Sequence, residues 1–496
     1  MSRIVLTTDA SNMSELNQNI YLGFLSCIPK NICPEPVYKA LVPPVDVNPD
    51  GTVKLPTLPL RAVEAICVNA GYSRDQVRIA HPLCPERVIN DETEIVGISA
   101  HDPMGLGPAT STWASIFGGT PHNRLKFVDL MDRIRLLKER FGFTTVLGGS
   151  GFWQVNKPET MRRFGIDYVV MGEGEISVPK LFERILNGDD NGPAIVRDRI
   201  PEPEEIPPVL GPTNCKLVEI TRGCGRGCRF CSPTVSGRLR SLPLEKIVRD
   251  VRVHKEAGFD RVTFQSDDSL RYGSSNLLAD KDALLNLYEE CFKTGIKEIF
   301  LTHASLVTFA EQPDVIESLT KYLRKRGVKY YGCQPGLETG SFRLISRHMR
   351  GKTYPRDSEE WHEIVQDALK VMKENNWYAV CTLICGLPEE DIDDVSMTTS
   401  LIERLDGFPS LYIPLFFVPM MHTGLEDRRA FVLENMTEEH WKLMFTCWDH
   451  NLRHISGLYE MAAQNRHTVL SVLIKSMASM LKFWMSLKRE EYVRAE

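Results

Sequence analysis

Three cysteines lie close together in the chain, at Cys224, Cys228 and Cys231, with glycines between and beside them. Glycine adopts backbone conformations that let such a loop curl, so the three sulfur atoms can converge. Full cysteine ligation of a four-iron cluster needs four thiolates, and three therefore leave one iron open to a further ligand. Structural zinc needs four ligands, commonly as two separated pairs, and no matching second pair follows this loop. The spacing thus favours an iron–sulfur cluster over a zinc site or three unrelated thiols.

The order Cys-x-x-x-Cys-x-x-Cys, with the aromatic Phe230 before its last cysteine, resembles the hallmark of the radical S-adenosylmethionine (SAM) enzymes. The resemblance implies that Cys224, Cys228 and Cys231 are catalytic residues that bind a [4Fe–4S] cluster. It also implies that the open iron binds SAM and that Phe230 packs against the adenine. One-electron reduction then cleaves SAM to methionine and a 5′-deoxyadenosyl radical.

Three later segments resemble SAM-contacting segments of the same family and follow one another in the family's order, at residues 264–268, 336–341 and 384–389. The resemblance implies that the first segment meets the amino group of SAM, the second its ribose or carboxylate, and the third its adenine. The implied SAM-binding residues are, in chain order, Asp267, Asp268, Glu338, Ser341, Ile384 and Gly386. For the two aspartates, a helix N-cap or an ordinary loop carboxylate is an equally open interpretation.

The first 190 residues resemble the cobalamin-binding domain that precedes many radical SAM domains, because glycine- and serine-rich loops follow three apolar strands. Ligands of open α/β sheets bind at such strand ends, and glycine lets the backbone approach a large flat cofactor. The residues implied to contact cobalamin are Ser99, Gly148, Gly149, Ser150, Gly172, Glu173 and Gly174. Plain turn chemistry is the alternative explanation for these loops.

His101 and Met104 are further candidates in the first of these loops. Free-standing cobalamin domains carry Asp-x-His-x-x-Gly, whose histidine ligates cobalt from below. Here the aspartate follows the histidine and the glycine comes one place late, so His101 is not assigned as a cobalt ligand. His101 or Met104 lies beneath the corrin, or His101 is an ordinary loop histidine.

The elements that must position these residues alternate between strands and helices, which indicates an α/β fold. We predict a Rossmann-like cobalamin-binding domain over residues 1–190 and a proline-rich linker over residues 191–214. A partial (β/α)6 TIM-type barrel follows over residues 215–425, with its chemistry at the carboxyl ends of the strands. The barrel strands are predicted at residues 216–220, 261–265, 298–301, 329–331, 378–384 and 410–417.

A helical extension is predicted over residues 426–496. In it, apolar residues recur at helical spacing, with lysines interleaved: Leu470, Ile474, Met477, Leu481 and Trp484. This pattern favours a helix docked on the barrel. A basic amphipathic helix in contact with membrane lipid is the alternative.

The composition of the 496 residues limits the function classes. The formal net charge of -6 gives no overall positive field for nucleic acid. Neither a signal peptide nor a membrane-spanning run is evident, and the 13 cysteines are therefore expected as thiols or metal ligands in a reducing compartment. We predict a cytoplasmic protein that binds no nucleic acid and makes no membrane contact.

The two implied cofactor domains predict a cobalamin-dependent radical SAM C-methyltransferase. Its cofactors would be the [4Fe–4S] cluster, SAM and methylcobalamin, and its partners a substrate and a small electron donor, flavodoxin or ferredoxin. Ring contraction or cyclisation, methylthiolation through a second cluster on Cys27, Cys33, Cys67 and Cys84, and lipid methylation remain alternatives. A sensor without catalysis would have little use for an open iron.

The substrate class rests on resemblance alone. Overall length and domain order resemble the methylases that modify an active-site glutamine of methyl-coenzyme M reductase in methanogenic archaea. A protein side chain of that kind is therefore a candidate substrate.

Overall fold

The computed structural model describes residues 3–18, 20–189, 194–232, 237–329, 331–463 and 468–493. These divide into two compact units. The N-terminal unit contains residues 1–110, 119–218 and 242–262, and the C-terminal unit contains residues 111–118, 219–241 and 263–496. The domain limits expected from the sequence stay a prediction.

The N-terminal unit is built on a six-stranded sheet in which all described pairings are parallel. Its strands are β1 (Ile4–Thr8), β2 (Val77–Ile79), β3 (Ile95–Ser99), β4 (Thr144–Gly148), β5 (Tyr168–Met171) and β6 (Ile195–Arg197). Their order is β2-β1-β3-β4-β5-β6. The first five strands follow a doubly wound order, in which ligands bind outside the carboxyl ends at the point between β1 and β3.

Helices cover both faces of this sheet, because each strand alternates apolar side chains between two cores. The helices that contribute to these cores are α2 (Leu58–Asn69), α4 (His122–Phe141), α5 (Pro158–Phe164) and α6 (Gly174–Leu186). This part of the chain also contains α1 (Glu35–Leu41) and α3 (Pro108–Phe117), and most of α3 belongs to the C-terminal unit. One core joins Val5 and Val96 to Phe127 of α4. The other joins Ile4 and Leu6 to residues of α2 and α6.

The strands that the sequence predicted here are confirmed at residues 95–99, 144–148 and 168–171, whereas β1, β2 and β6 were missed. β6 lies inside the predicted linker, where residues 195–197 add an edge strand beside β5. Residues 191–193 of that linker lie outside the described residues.

The C-terminal half of the chain supplies the strands of a partial barrel. They are β7 (Leu217–Glu219), β10 (Arg261–Gln265), β11 (Glu298–Leu301), β12 (Tyr331–Cys333), β13 (Gly336–Glu338), β14 (Trp377–Cys385) and β15 (Ser410–Phe416). A small antiparallel ribbon joins β8 (Thr221–Arg222) to β9 (Arg240–Ser241). Tyr330, within one predicted strand, lies outside the described residues.

These strands run in the order expected of a (β/α)6 arrangement. β12 and β13 both pair in parallel with β14, so they act as one interrupted strand, and β15 pairs with the other side of β14. A parallel bridge between His303 and Gln334 links the end of β11 to the end of β12. The Ile220 N–H donates to Gln265 O at 3.1 Å, which joins the ends of β7 and β10.

Helices alternate with the strands in this half of the chain. They are α7 (Leu244–Glu256), α8 (Lys281–Lys293), α9 (Leu306–Glu311), α10 (Pro313–Arg324), α11 (Phe342–His348), α12 (Trp361–Glu374), α13 (Ile392–Arg404), α14 (Glu438–Ala463) and α15 (Thr468–Val493). α14 and α15 confirm a helical extension, and its predicted beginning at residue 426 stays a prediction. The side chains of Leu470, Ile474 and Met477 lie outside the description, whereas Leu481 is buried and Trp484 is exposed. No helix among the described residues is long and apolar enough to cross a bilayer.

Candidate active site

The cysteine loop begins directly after β8 and is shaped by three glycines. Gly223, Gly225 and Gly227 have φ angles of 75°, 69° and 67°, all in the left-handed region that disfavours residues with a Cβ. This confirms that the glycines allow the loop to curl. Cys228 is 5% exposed, and Cys224, Cys231 and Phe230 are half-buried.

Two of the three thiols are in direct contact. A hydrogen bond from the Cys231 thiol lowers the pKa of Cys228, and the nearby Lys352 ammonium adds to the effect. The same hydrogen bond, together with burial, raises the pKa of Cys231 well above its usual value. Metals are bound by the thiolate form, so Cys228 is poised to act as a ligand.

Buried arginines brace the backbone of this loop. Arg226 forms an ion pair with Asp268 at 3.1 Å, and both side chains are almost fully buried. Its guanidinium also donates to Gly351 O at 3.1 Å, and Arg271 donates to Cys224 O. The sequence analysis did not find these arginines, because their partners lie far away in the chain.

The neighbouring carboxylates Asp267 and Asp268 have different surroundings. Asp267 is half-buried, accepts the Gly223 N–H at 2.8 Å, and has a pKa that burial raises to about 6. Asp268 is 1% exposed, is bonded to Arg226, and caps no helix with its side chain. The geometry therefore leaves Asp267 the more accessible of the two, and a SAM contact by either one stays a prediction.

Glu338 is held by a lysine that the sequence analysis missed. Lys352 Nζ lies 2.6 Å from Glu338 Oε1 and donates to Gly336 O at 2.6 Å. Burial alone would lower the pKa of Lys352, but the Glu338 carboxylate and the Cys228 thiol outweigh it and raise the pKa. A permanent positive charge therefore lies beside the cysteine loop.

The remaining SAM-contact candidates occupy two strand ends. Ser341 is fully buried, caps α11 by accepting from Leu344 N, and donates to Asp394, so its hydroxyl is already engaged. Ile384 and Gly386 are half-buried near the end of β14. A Cβ on Gly386 would lie 2.1 Å from the ring of Phe431. Phe431 therefore packs directly against Gly386, and contacts of Ile384 and Gly386 with SAM stay predictions.

In the N-terminal unit, the loops after β3 and β4 meet at the carboxyl edge of the sheet. Ala100 N donates to Gly148 O at 2.8 Å, and Gly151 N donates to Ala100 O at 2.9 Å. Gly149 has a φ of 94°, and a Cβ there would lie 2.5 Å from Ala100 O. Close packing between these two loops therefore explains why residue 149 is a glycine, without a bound cofactor.

His101 and Ser150 form the exposed part of this edge. His101 Nδ1 lies 2.8 Å from Ser150 Oγ, so the serine hydroxyl holds the histidine ring. Met104 is half-buried, and its N–H donates to Gln154 Oε1 at 2.8 Å. The contact supports the ordinary-loop interpretation of His101 and leaves contact with a corrin a prediction.

Asp102 anchors this loop and was missed by the sequence analysis. Its carboxylate accepts from Gly107 N at 2.9 Å, Thr110 Oγ1 at 2.5 Å, Asn123 Nδ2 at 2.6 Å and Gln154 Nε2 at 2.7 Å. Four donors satisfy a carboxylate nearly completely. The strand-end loop is consequently fixed before any ligand binds.

The other predicted cobalamin contacts lie on the same edge. Gly172 is exposed, has a φ of 85°, and has open space around the position of an added Cβ. Glu173 is the N-cap residue of α6, and Gly174 is its first residue. Ser99 ends β3, where its carbonyl accepts the Thr8 hydroxyl at 2.7 Å. Cofactor roles for these residues stay predictions.

A comparison with protein families assigns a domain within the C-terminal part of the chain. The family model of the radical SAM superfamily matches residues 218–402. Residues 218–402 are a radical SAM domain. This domain contains the three cysteines and every predicted SAM-contacting residue. Its presence shows that the chain is an enzyme that contains a radical SAM domain.

A curated relative is similar to much of the chain. The tRNA-2-methylthio-N(6)-dimethylallyladenosine synthase of Fusobacterium nucleatum is 27% identical over 313 residues. The alignment covers 62% of this chain and 67% of that protein.

Two solved structures extend the likeness beyond the radical SAM domain. One is the radical SAM methyltransferase TsrM from Kitasatospora setae, solved with tryptophan and a SAM analogue. Its TM-score is 0.56 at 14% sequence identity, and the match covers 86% of this chain and 75% of the TsrM chain. The other is the cobalamin-dependent radical SAM enzyme OxsB, solved with aqua-cobalamin bound. Its TM-score is 0.51 at 15% sequence identity, and the match covers 89% of this chain and 56% of the OxsB chain. At these identities the likeness shows the fold, which confirms the predicted α/β architecture.

Proposed function

We propose that this chain is a cobalamin-dependent radical SAM methyltransferase. The observation that carries the proposal is the combination, in one chain, of a three-thiol loop at a barrel strand end and a doubly wound sheet with glycine-rich strand-end loops. The fold likeness to TsrM and OxsB supports it, since it covers far more of the chain than the radical SAM domain.

The residues of the chain suit the groups that this function needs. Cys224, Cys228 and Cys231 offer three thiols for a [4Fe–4S] cluster, and Lys352 places a positive charge beside them. The exposed edge around Ser150 and Gly172 offers backbone and hydroxyl groups to cobalamin. When bound, the cluster and SAM supply one-electron chemistry and cobalamin supplies a methyl group. The protein holds these groups, orients them and excludes water.

Methylthiolation is a second candidate, favoured by the name of the Fusobacterium relative. It requires further cluster ligands among the N-terminal cysteines. Cys67 is fully buried among aliphatic side chains, and burial raises its pKa to about 12. Burial likewise raises the pKa of Cys27 to about 12. A cluster at Cys67 would have to displace the packed aliphatic side chains around it, which supports the cobalamin proposal.

Methyl transfer can be tested with SAM labelled in its methyl group, a chemical reductant, and protein reconstituted with iron, sulfide and cobalamin. The probe substrate is a peptide carrying the active-site glutamine segment of methyl-coenzyme M reductase. We expect a labelled peptide heavier by one methylene unit, together with 5′-deoxyadenosine, and neither product with Cys228→Ala. A peptide heavier by a methylthio group would overturn the proposal in favour of methylthiolation.

The substrate proposal fails separately from the cofactor proposal. SAM cleavage without methylation of this peptide would exclude the glutamine side chain as the substrate. Products of ring contraction or cyclisation with another substrate, without gain of a methyl group, would remove methyl transfer while keeping both cofactors.

A further inference from the structure

A second group of metal-binding side chains lies at the amino end of β15, whereas the cysteine loop follows the carboxyl ends of strands. Asp406 precedes β15, and His450 and His454 lie one turn apart on α14. One ligand atom from each of the three residues lies within 4.8 Å of the other two. Histidines four positions apart on one helix face commonly bind zinc together.

The ring of His450 is held so that its second nitrogen needs a cation. The side chain is 1% exposed, and Nε2 lies 3.1 Å from the carbonyl oxygen of Ser410. Since a carbonyl only accepts, Nε2 carries a proton, and in the neutral ring Nδ1 then carries a lone pair. Nδ1 faces Asp406 Oδ1 at 3.3 Å, and it has no hydrogen-bond partner among the described residues. A buried imidazole acceptor that faces a carboxylate oxygen is costly unless a cation lies between the two atoms.

His454 has the same arrangement of its two ring nitrogens. Its Nε2 donates to the carbonyl oxygen of Asp406 at 3.0 Å, which leaves Nδ1 with a lone pair. The rings of His454 and His450 lie 4.4 Å apart at an angle of 30°. Metal-binding histidines almost always donate the other ring N–H to a carbonyl or carboxylate, and both rings do so here.

The surrounding hydrogen bonds fix this turn of α14 against the sheet. Asn451 accepts from Tyr412 N and donates to Tyr412 O, both at 2.7 Å. The Tyr378 hydroxyl donates to the carbonyl oxygen of His454 at 2.7 Å. The two histidines are thus positioned by β14 and β15 rather than by a bound ion, which is the preorganisation that a metal site requires.

Arg453 pairs with the Asp406 carboxylate, with Nε 3.1 Å from Oδ1. Both side chains are more than half exposed, and exposed ion pairs contribute little and are screened by salt. A divalent cation can therefore displace the arginine from Asp406. Two imidazole nitrogens and one carboxylate oxygen suit zinc, which binds three protein ligands and leaves a fourth position for water.

We propose that Asp406, His450 and His454 bind a divalent ion of the zinc type, which fastens α14 to the amino end of β15. The site shares no residue with the cysteine loop, and the proposal does not depend on methyl transfer.

Zinc is the probe, because the iron–sulfur cluster, SAM and cobalamin contain no zinc. Full-length protein with its cluster reconstituted is incubated with zinc sulfate, desalted and analysed for zinc by mass spectrometry. We expect one zinc ion per wild-type chain after desalting. Asp406→Asn and His450→Ala should bind zinc tenfold or more weakly and should therefore lose it during desalting. The matched control is His362→Ala, since His362 is a half-buried histidine whose ring contacts Arg404 and Gly340 O. It should keep the wild-type zinc content.

Asp406→Asn keeps the test independent of folding, because this exposed side chain is replaced by one of the same shape. Zinc should also raise the thermal midpoint of the wild type and of His362→Ala but not that of Asp406→Asn. Absence of zinc from the wild type, or equal zinc in the wild type and Asp406→Asn, would overturn the proposal. The second result would assign the ion to other ligands, such as the cysteines.

Discussion

Asp267 and Asp268 are adjacent in the chain, yet the structure gives them separate tasks. Asp268 is enclosed with Arg226 and keeps the cysteine loop in place, whereas Asp267 is half-buried and binds only the Gly223 N–H among its described hydrogen bonds. Removing one partner of a buried ion pair leaves an uncompensated charge, which typically costs about 3–5 kcal/mol. Losing the charge on a carboxylate that accepts one backbone hydrogen bond costs far less.

We therefore predict that Asp268→Asn lowers the free energy of unfolding by roughly 3 kcal/mol or more and lowers the iron content after reconstitution. The matched Asp267→Asn variant should keep its iron and lose affinity for SAM. Denaturant unfolding, iron analysis and equilibrium binding of SAM measure these effects. Equal iron contents in the two variants would show that the Arg226–Asp268 pair does not support the loop.

At the scale of elements, a buried histidine joins α7 to the segment before β7. His254 is fully buried, its Nδ1–H donates to Asp250 O at 2.8 Å, and its Nε2 accepts the Thr213 N–H at 3.1 Å. Both ring nitrogens are thus used by the neutral form. Burial lowers the pKa of His254 to about 4 from its ordinary value near 6.5.

This pKa predicts acid sensitivity. Above pH 6.5 the histidine is neutral in both states, and its hydrogen bonds stabilise the fold. As the pH falls from about 6.5 to 4, His254 binds a proton in the unfolded chain but not in the folded chain. The free energy of unfolding therefore decreases, by roughly 3 kcal/mol over about 2.5 pH units. Unfolding of the wild type and His254→Gln between pH 4.5 and 7.5 measures the difference. His450 titrates in both proteins, so identical pH slopes would contradict the account.

The two glycines at the carboxyl edge of the N-terminal sheet provide a second test at this scale. A Cβ on Gly149 meets Ala100 O at 2.5 Å, whereas a Cβ on Gly172 meets open space, and both φ angles are positive. Gly149→Ala should therefore displace the loop that carries His101 and lower cobalamin uptake, while the iron content stays unchanged. Gly172→Ala adds backbone strain of roughly 1–2 kcal/mol but leaves the contact between the loops after β3 and β4 intact, so its effect on cobalamin uptake should be the smaller. Corrin absorbance after reconstitution separates the two, and equal uptake would contradict a role for the loop contact.

Features that depend on neighbouring residues in the chain could be predicted from the sequence. Apolar runs predicted the strands at residues 261–265 and 298–301, and glycine spacing predicted the shape of the cysteine loop. Contacts between distant residues were not predictable, because neither composition nor spacing reveals that Asp102 meets Gln154 or that Lys352 meets Glu338. β1 was missed since its apolar run continues into threonines, which burial and hydrogen bonds nevertheless accommodate.

Anaerobic reconstitution can show whether one chain binds both an iron–sulfur cluster and cobalamin. Wild type and Cys228→Ala are loaded with iron, sulfide and hydroxocobalamin, and are then examined by ultraviolet–visible spectroscopy and metal analysis. We predict about four irons and one corrin per wild-type chain, with only the iron–sulfur absorbance lost in the variant. An iron–sulfur cluster without any corrin uptake would contradict the account and would favour methylthiolation.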